Sequence, residues 1–176
     1  MTATTAGYTE DQLVEQPAIA LFAELGWQTV NAMHERLGAE GTLGRDTQTE
    51  PILSRHLVSA LQRLNPTASG EAIEQAAVEI TRSRAALQYV RANREIYQLL
   101  REGVTVNVRQ DDGSRLPEVI RVIDWERPEN NDFLLVSQFW IRSDLYKRRA
   151  DLVGFVNGIP LVFIELKASH RNLEHA

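Results

Sequence analysis

Apolar residues recur at two different spacings, and the change between them divides the chain into a helical first part and a strand-rich second part. Up to Gly103 they recur every three or four residues, which predicts helices. The predicted helices cover residues 9–25, 51–64, a segment opening after Ser69, and 84–101. Beyond Gly103 the apolar residues alternate or run together, which predicts strands at 104–108, 119–125, 133–141, 152–156 and 161–166. Helices followed by strands indicate an α+β domain with a mixed sheet.

Capping and turn residues refine these boundaries. The run from Thr9 to Gln12 has the form of a capping box, and Pro17 interrupts or restarts the helix that follows it. Thr49 is predicted near the N-cap of the second helix, which Pro66 ends. Residues 27–30 fit a short strand, and the polar, glycine-containing residues 34–48 predict a mobile loop.

The most apolar stretch of the chain, residues 151–167, carries three charged residues: Asp151, Glu165 and Lys167. A buried charge costs several kcal/mol unless it is paired or bound to an ion. Side chains alternate across a strand, so Glu165 and Lys167 project from the same face as Leu161 and Phe163. We expect this strand to be buried, and the charges therefore need an explanation.

The turn between the last two strands decides whether these charges meet. A two-residue turn at Asn157-Gly158 pairs Val156 with Ile159 and sets Asp151 opposite Ile164. A loop of odd length, such as residues 157–159, or a bulge sets Asp151 opposite Glu165. Pro160 cannot donate a ladder hydrogen bond, which favours an irregular hairpin. If the charges cooperate, the hairpin must be odd or bulged.

Cooperation of two carboxylates and a lysine has a specific chemical use. Two adjacent carboxylates repel each other, and a divalent cation between them removes the repulsion. Mg²⁺ is commonly held by one or two carboxylates with water and phosphate oxygens, and it activates a bound water. A nearby lysine can orient that water or neutralise charge on a phosphate. The pattern suits a metal-dependent phosphodiesterase, although a Glu-x-Lys surface ion pair is the common alternative.

Length, composition and net charge limit the classes of protein to which the chain can belong. The 176 residues suit one domain with a core, and there is no cysteine, which excludes disulfides and fits a reducing cytoplasm. No stretch approaches the roughly 20 apolar residues of a membrane helix, and the start has no leader-like pattern, so residues 1–8 are expected to be a disordered tail. The net charge of −5 counts mildly against DNA as a partner, but an acidic metal site also lowers the charge of a nuclease.

Several phrases of the chain resemble one known family. RRADLVGFVNGIPLVFIELK resembles the nuclease core of the motor/endonuclease (R) subunits of type I restriction-modification enzymes, which belong to the PD-(D/E)xK superfamily. LVEQPAIALFAELGW, NREIYQLLREGV and NDFLLVSQFWI resemble the same subunit, in the same order. The resemblance implies an α/β/α restriction-endonuclease-like fold over residues 1–176, with Mg²⁺, or Mn²⁺ in its place, as the cofactor.

The resemblance also implies roles for individual residues. Asp151 and Glu165 would be metal ligands, together with the Leu166 carbonyl, and Lys167 would be the catalytic lysine. The superfamily has a further helix carboxylate, for which Glu15 is the first candidate and Glu10 the second. Ala150 stands where the superfamily pattern has proline, a position that varies.

Basic residues precede the predicted core strand. Lys147, Arg148 and Arg149 would contact DNA phosphates beside the metal, with a solvated turn as the alternative reading. Gln138 lies on the strand before the core and is a candidate to face the site, but the sequence alone gives no reason to insist on that role.

In the full subunit, the resemblance implies ATP-driven translocation, cleavage of double-stranded DNA, and assembly with methyltransferase and specificity subunits. This chain has no G-x-x-x-x-G-K-[ST] phosphate loop, so ATP would bind elsewhere in the subunit. The chain is expected to be an N-terminal fragment in which the helix closing the active site is absent or only begun. Two alternatives remain: a docking module with an idle nuclease site, and a nuclease of another helicase-associated defence or repair system.

Overall fold

The computed structural model describes residues 14–109, 112–143 and 145–167. The predicted tail at residues 1–8, the capping box and Glu10 lie outside them. The helices are α1 (Gln16–Glu24), α2 (Ser54–Leu64), α3 (Gly70–Thr81) and α4 (Tyr89–Glu102). The strands are β1 (Gln28–Asn31), β2 (Val104–Arg109), β3 (Arg115–Ile120), β4 (Phe133–Arg142), β5 (Lys147–Val156) and β6 (Ile159–Ile164).

The strands form two sheets in the described part of the chain. The main sheet has the order β1-β4-β5-β6, with β1 parallel to β4 and the other pairs antiparallel. Strands β2 and β3 form a separate antiparallel ribbon. The predicted α+β class with a mixed sheet is confirmed. The helices-first order is confirmed only in part, because β1 precedes α2 to α4. The restriction-endonuclease-like architecture and the single domain over residues 1–176 stay predictions.

Two clusters of buried side chains hold these sheets. The first lies where α3 packs on the β2–β3 ribbon and α2 packs on α3, and it includes Leu57, Leu61, Ile73 and Ile120. The second, which we call the sheet core, consists of Ala32, Leu43, Leu53, Leu134, Val136, Phe139, Ala150, Val153 and Phe155. The amphipathic spacing along α2 and α3 therefore predicts which of their residues are buried.

The start of α3 follows a local capping signal, whereas the start of α2 is set by a contact with the distant β5–β6 turn. Ser69 caps α3 as predicted, since its Oγ accepts a hydrogen bond of 3.1 Å from the Ala72 N–H. Helix α2 begins at Ser54 rather than residue 51, so the prediction of Thr49 as its cap is wrong. The Leu53 N–H instead donates to the Gly158 carbonyl at 2.8 Å, which fixes the chain before α2 to the β5–β6 turn.

Strand β6 lies at the edge of the sheet, and this corrects the expectation that it is buried. Its exposure alternates, with Leu161 and Phe163 exposed by 42% and 70%. Glu165 and Lys167 follow on that same exposed side, so water solvates both charges and no burial penalty arises. The predicted sharing of one face is confirmed, whereas the predicted burial is wrong.

The strand predicted at residues 119–125 ends early because a buried aspartate turns the chain. β3 stops at Ile120, and Asp124, which is 3% exposed, accepts hydrogen bonds from the N–H groups of Glu126 and Arg127 and from the Asn130 amide. The Asn130 amide first, then the Arg127 N–H and the nearby charge of Arg121, hold the pKa of Asp124 below its ordinary value despite burial.

This turn should depend on pH. Because the folded pKa of Asp124 is lowered, its stabilising effect is fully present above the ordinary value of 3.8 and is lost as the pH falls through the folded value. Hydrogen exchange at residues 121–131 should be faster in Asp124→Asn than in the parent at pH 7. The two proteins should converge as the parent's carboxyl protonates. Glu126→Gln, at an exposed neighbour, is the control and should match the parent; a constant difference across pH would contradict the prediction.

Candidate functional site

The β5–β6 hairpin contains the bulge that the charged residues require. Asn157 and Gly158 have φ of 51° and 77° and form a two-residue turn that pairs Val156 with Ile159. The register then shifts by one, because Phe155 pairs with Pro160 but Gly154 pairs with Val162. Leu161 is the extra residue. The bulged hairpin is confirmed; the three-residue loop at 157–159 is wrong.

The shifted register sets Asp151 opposite Glu165. Leu152 pairs with Ile164, so the next positions outward are Asp151 and Glu165. The ladder ends there, and the Leu166 N–H donates instead to Oδ2 of Asp151 at 2.8 Å. This hydrogen bond explains why β6 ends at Ile164 and not at residue 166, and it fixes the Asp151 carboxylate next to the Leu166 backbone. Lys167 Nζ lies 3.9 Å from Oε1 of Glu165, a solvated ion pair.

Strand β4 is distorted at Gln138, directly opposite Asp151. The pairs Ser137–Leu152 and Phe139–Ala150 flank these two residues. Gln138 has a φ of 58°, in the left-handed region that non-glycine residues seldom adopt. Val136 and Phe139 both pack in the sheet core although three positions separate them, so the regular alternation of faces breaks between them.

The distortion turns the Gln138 side chain toward Glu15, the N-cap residue of α1. Gln138 Nε2 donates to Glu15 Oε2 at 2.8 Å, and the two residues are 7% and 8% exposed. The Gln138 Oε1 atom is buried and has no hydrogen-bond partner among the described residues. An unsatisfied buried acceptor costs about 1–3 kcal/mol. The sequence did not assign Gln138 a role, and the available signal was the polar pair Ser137-Gln138 within a mainly apolar strand.

These residues line a cleft with a volume of about 540 Å³, which we call the Asp151 cleft. Its walls include Glu15, Gln138, Asp151, Leu166 and Arg149. The structure therefore places two of the predicted carboxylates, Glu15 and Asp151, on one cleft. Leu166, whose backbone carbonyl is the further predicted ligand, lines the same cleft. Glu165 and Lys167 do not line this cleft in the described part of the chain; they lie on the exposed side next to it.

The donor groups of the cleft suit a magnesium ion. Within the described residues, no group of three or more histidine, aspartate or glutamate side chains is close enough to hold a metal. Mg²⁺ needs fewer, because one or two carboxylates suffice when water and phosphate oxygens complete the octahedron. Glu15 and Asp151 supply two carboxylates on one cleft, so the residues present fit this ion.

The predicted phosphate contacts separate into two positions. Arg149 lines the Asp151 cleft, and its guanidinium lies 5.6 Å from the ring centre of Trp140. Lys147 Nζ lies over the same ring at 4.4 Å. Arg148 lies apart from them, 5.9 Å from the ring centre of Tyr146. All three side chains are exposed, so their charges are available to a polyanion.

The segment between β1 and α2 completes the wall of the cleft through Met33 and His34. It lacks helix and strand, as the loop prediction for residues 34–48 requires, but it is fixed to the sheet. Arg45, with 0% exposure, bonds both carboxylate oxygens of Glu35 at 2.7 and 2.6 Å and the Trp140 carbonyl at 2.6 Å. The mobility predicted for this loop stays a prediction; the buried Arg45–Glu35 ion pair lies within the segment, and the Arg45 hydrogen bond to the Trp140 carbonyl ties the segment to β4.

Comparisons with known proteins assign the chain to a family. Residues 7–176 match the family described as Type I restriction enzyme R protein N terminus. The chain is 35% identical over 160 residues to the type I restriction enzyme HindI endonuclease subunit of Haemophilus influenzae, which covers 88% of this chain and 14% of that protein. It is 27% identical over 176 residues to the putative type I restriction enzyme MjaIXP endonuclease subunit of Methanocaldococcus jannaschii, covering 95% and 16%. No helix of the described residues is long and apolar enough to span a membrane. The chain spans only a small part of these relatives, and it belongs to the family of type I restriction enzyme R protein N termini.

Proposed function

We propose that this chain is the Mg²⁺-dependent DNA endonuclease domain of a type I restriction enzyme R subunit. The observation that carries the proposal is the bulged hairpin, which sets Asp151 opposite Glu165 and next to Leu166, at a cleft that also contains Glu15. A bulge that re-aims a side chain is a feature often found beside active sites. The family and the relatives named as endonuclease subunits support the same reaction.

Each side chain has a role in this proposal. Asp151 and Glu15 would hold the ion, with Glu165 and the Leu166 carbonyl as the further predicted ligands. A bound Mg²⁺ supplies an acidified water and charge stabilisation at the phosphate. The Leu166 N–H orients the Asp151 carboxylate. Lys167 balances the charge of Glu165 in the free protein and is available to orient the attacking water or to neutralise the phosphate.

DNA would approach along the exposed basic residues of β5. Arg149 lies at the cleft, so it would bind a phosphate next to the scissile one. Lys147, held over the Trp140 ring, and Arg148 would extend this contact along the backbone. These contacts carry no sequence information, which agrees with the proposal that a separate specificity subunit selects the DNA sequence.

The whole subunit is proposed to be an ATP-driven motor in the cytoplasm. ATP would bind in regions outside this chain, and a methyltransferase and a specificity subunit would complete the assembly. Translocation would bring double-stranded DNA to the Asp151 cleft, and the DNA would be cut at a position away from the recognition site.

The test is Lys167→Ala in the full-length R subunit assembled with its partners. We expect DNA cleavage to fall at least about a hundredfold, since a positioned proton-transfer or charge-stabilising group contributes that much or more. ATP hydrolysis and translocation should persist because the motor lies elsewhere. Arg94→Ala, at an exposed residue of α4, is the control and should cleave normally. Undiminished cleavage by Lys167→Ala would refute the proposed role.

A docking module with an idle nuclease site is the second candidate. Leu21 and Leu25, four residues apart at the end of α1 and exposed by 55% and 67%, favour it, because two neighbouring exposed apolar side chains suit contact with another part of the subunit. Mn²⁺ titration of the full subunit separates the two candidates: metal binding that Asp151→Ala removes supports the nuclease. The third candidate, a nuclease of another helicase-associated system, is disfavoured by the family match.

A further inference from the structure

The backbone distortion at Gln138 is unfavourable in free energy for two reasons, and it allows one side-chain hydrogen bond to form. The backbone adopts a φ of 58° in the middle of a ten-residue strand, and the side-chain Oε1 is buried without a hydrogen-bond partner in the part of the chain that the structure describes. The gain is a single hydrogen bond, from Nε2 to the buried Glu15 carboxylate. Strained residues persist where the surrounding structure demands them, often at functional sites.

We propose that Gln138 is a positioning residue that holds the Glu15 carboxylate in the Asp151 cleft as the second carboxylate for the divalent cation. The inference rests on the proposed function and adds to it a residue that contacts neither metal nor DNA. It acts through Glu15. Within the described part of the chain, the hydrogen bond from the Gln138 amide fixes the Glu15 side chain.

A neutral amide suits this task better than a charged group. An arginine or lysine at position 138 would fix Glu15 but would also neutralise it and repel a metal ion. The Gln138 amide bonds Oε2 alone and leaves the negative charge of the carboxylate in place. Residues that orient a metal ligand by hydrogen bonding commonly change metal affinity by about 10- to 100-fold when they are removed.

The change of face along β4 explains why the distortion occurs at this residue. Leu134 and Val136 face the sheet core, and regular alternation would direct residue 138 into that core as well. The left-handed conformation of Gln138 turns its side chain to α1 and returns Phe139 to the core. The same position opposes Asp151, so one distortion brings carboxylates from α1 and from β5 to the same cleft.

Two substitutions test the proposal without distorting the strand. Gln138→Gly removes the side chain, and Gln138→Asn shortens it by one methylene so that the amide no longer reaches Glu15. Glycine and asparagine both tolerate a positive φ, so the β4 backbone is retained. Each variant is made in the full-length R subunit, and Mn²⁺ binding is measured without nucleotide, taking as site-specific the part that Asp151→Ala removes. DNA cleavage is then followed as a function of Mg²⁺ concentration.

We expect both variants to bind Mn²⁺ about tenfold more weakly and to recover cleavage at raised Mg²⁺. In a Glu15→Gln background, neither substitution should weaken metal binding further, because the residue through which Gln138 acts is already neutral. Metal affinity equal to the parent, or losses that simply add in the Glu15→Gln background, would overturn the inference. If Asp151→Ala also left metal binding and cleavage unchanged, the proposed function itself would be wrong, so the two failures are distinguishable.

Discussion

Replacing Asp151 with asparagine in the full-length R subunit should abolish DNA cleavage while ATP hydrolysis continues. The amide has nearly the same shape and can still accept the hydrogen bond from the Leu166 N–H, so the hairpin should remain intact. What is lost is the negative charge at a cleft whose only other described carboxylate lining residue is Glu15. Metal-ion catalysis contributes several kcal/mol, and losing about 4 kcal/mol slows a reaction about a thousandfold.

The measurement is the rate of double-strand cleavage of a DNA containing the recognition site, with ATP hydrolysis followed in the same samples. Glu129→Gln removes one negative charge at an exposed residue that does not line the Asp151 cleft, and it serves as the matched control. It should cleave like the parent. If Asp151→Asn cleaved within tenfold of the parent, the metal site would have to lie elsewhere in the subunit.

Replacing Arg45 with methionine should loosen the wall of the cleft by breaking the buried ion pair with Glu35. Both side chains are essentially inaccessible to water, at 0% and 1% exposure. Removing the guanidinium leaves a buried carboxylate uncompensated and also frees the Trp140 and Glu50 carbonyls. Loss of one partner of a buried pair costs about 3–5 kcal/mol. Arg45 also lies 4.1 Å from the ring centre of Phe139, so the sheet core loses a packing contact.

Hydrogen exchange measured by mass spectrometry on the full-length subunit gives the local readout. Amides of residues 34–50 should exchange about a hundredfold faster or more, as expected from a loss of about 3–5 kcal/mol. Arg36→Met, at an exposed arginine of the same segment, should leave exchange unchanged. Combining Arg45→Met with Glu35→Leu should restore part of the protection, because no unpaired charge then remains. Equal exchange in Arg45→Met and the parent would show that the ion pair does not hold this segment.

Local features of the fold could be predicted from the sequence because short-range rules govern them. Apolar spacing of three or four residues predicted α2 and α3, whose buried faces include Leu57, Leu61 and Ile73, and Ser69 predicted where α3 opens. The register argument at Asn157-Gly158 reduced the last hairpin to two outcomes, and the bulged one is observed. The start of α2 was missed because Leu53 bonds Gly158, more than a hundred residues away. The burial of β6 was overestimated because apolar content does not reveal which strand lies at an edge.

The candidate site likewise combines features that the sequence predicts with features that depend on tertiary packing. The sequence by itself determined that Asp151, Glu165 and Lys167 belong to one hairpin, since alternation and turn length are local properties. Only the tertiary structure decided that Glu15, at the N-cap of α1, lines the same cleft as Asp151 of β5 and the distorted Gln138. That arrangement depends on how α1 packs on the sheet and on a break in alternation that no local pattern specifies. Contacts between residues far apart in sequence arise from packing of the whole chain, and this is where the site is completed.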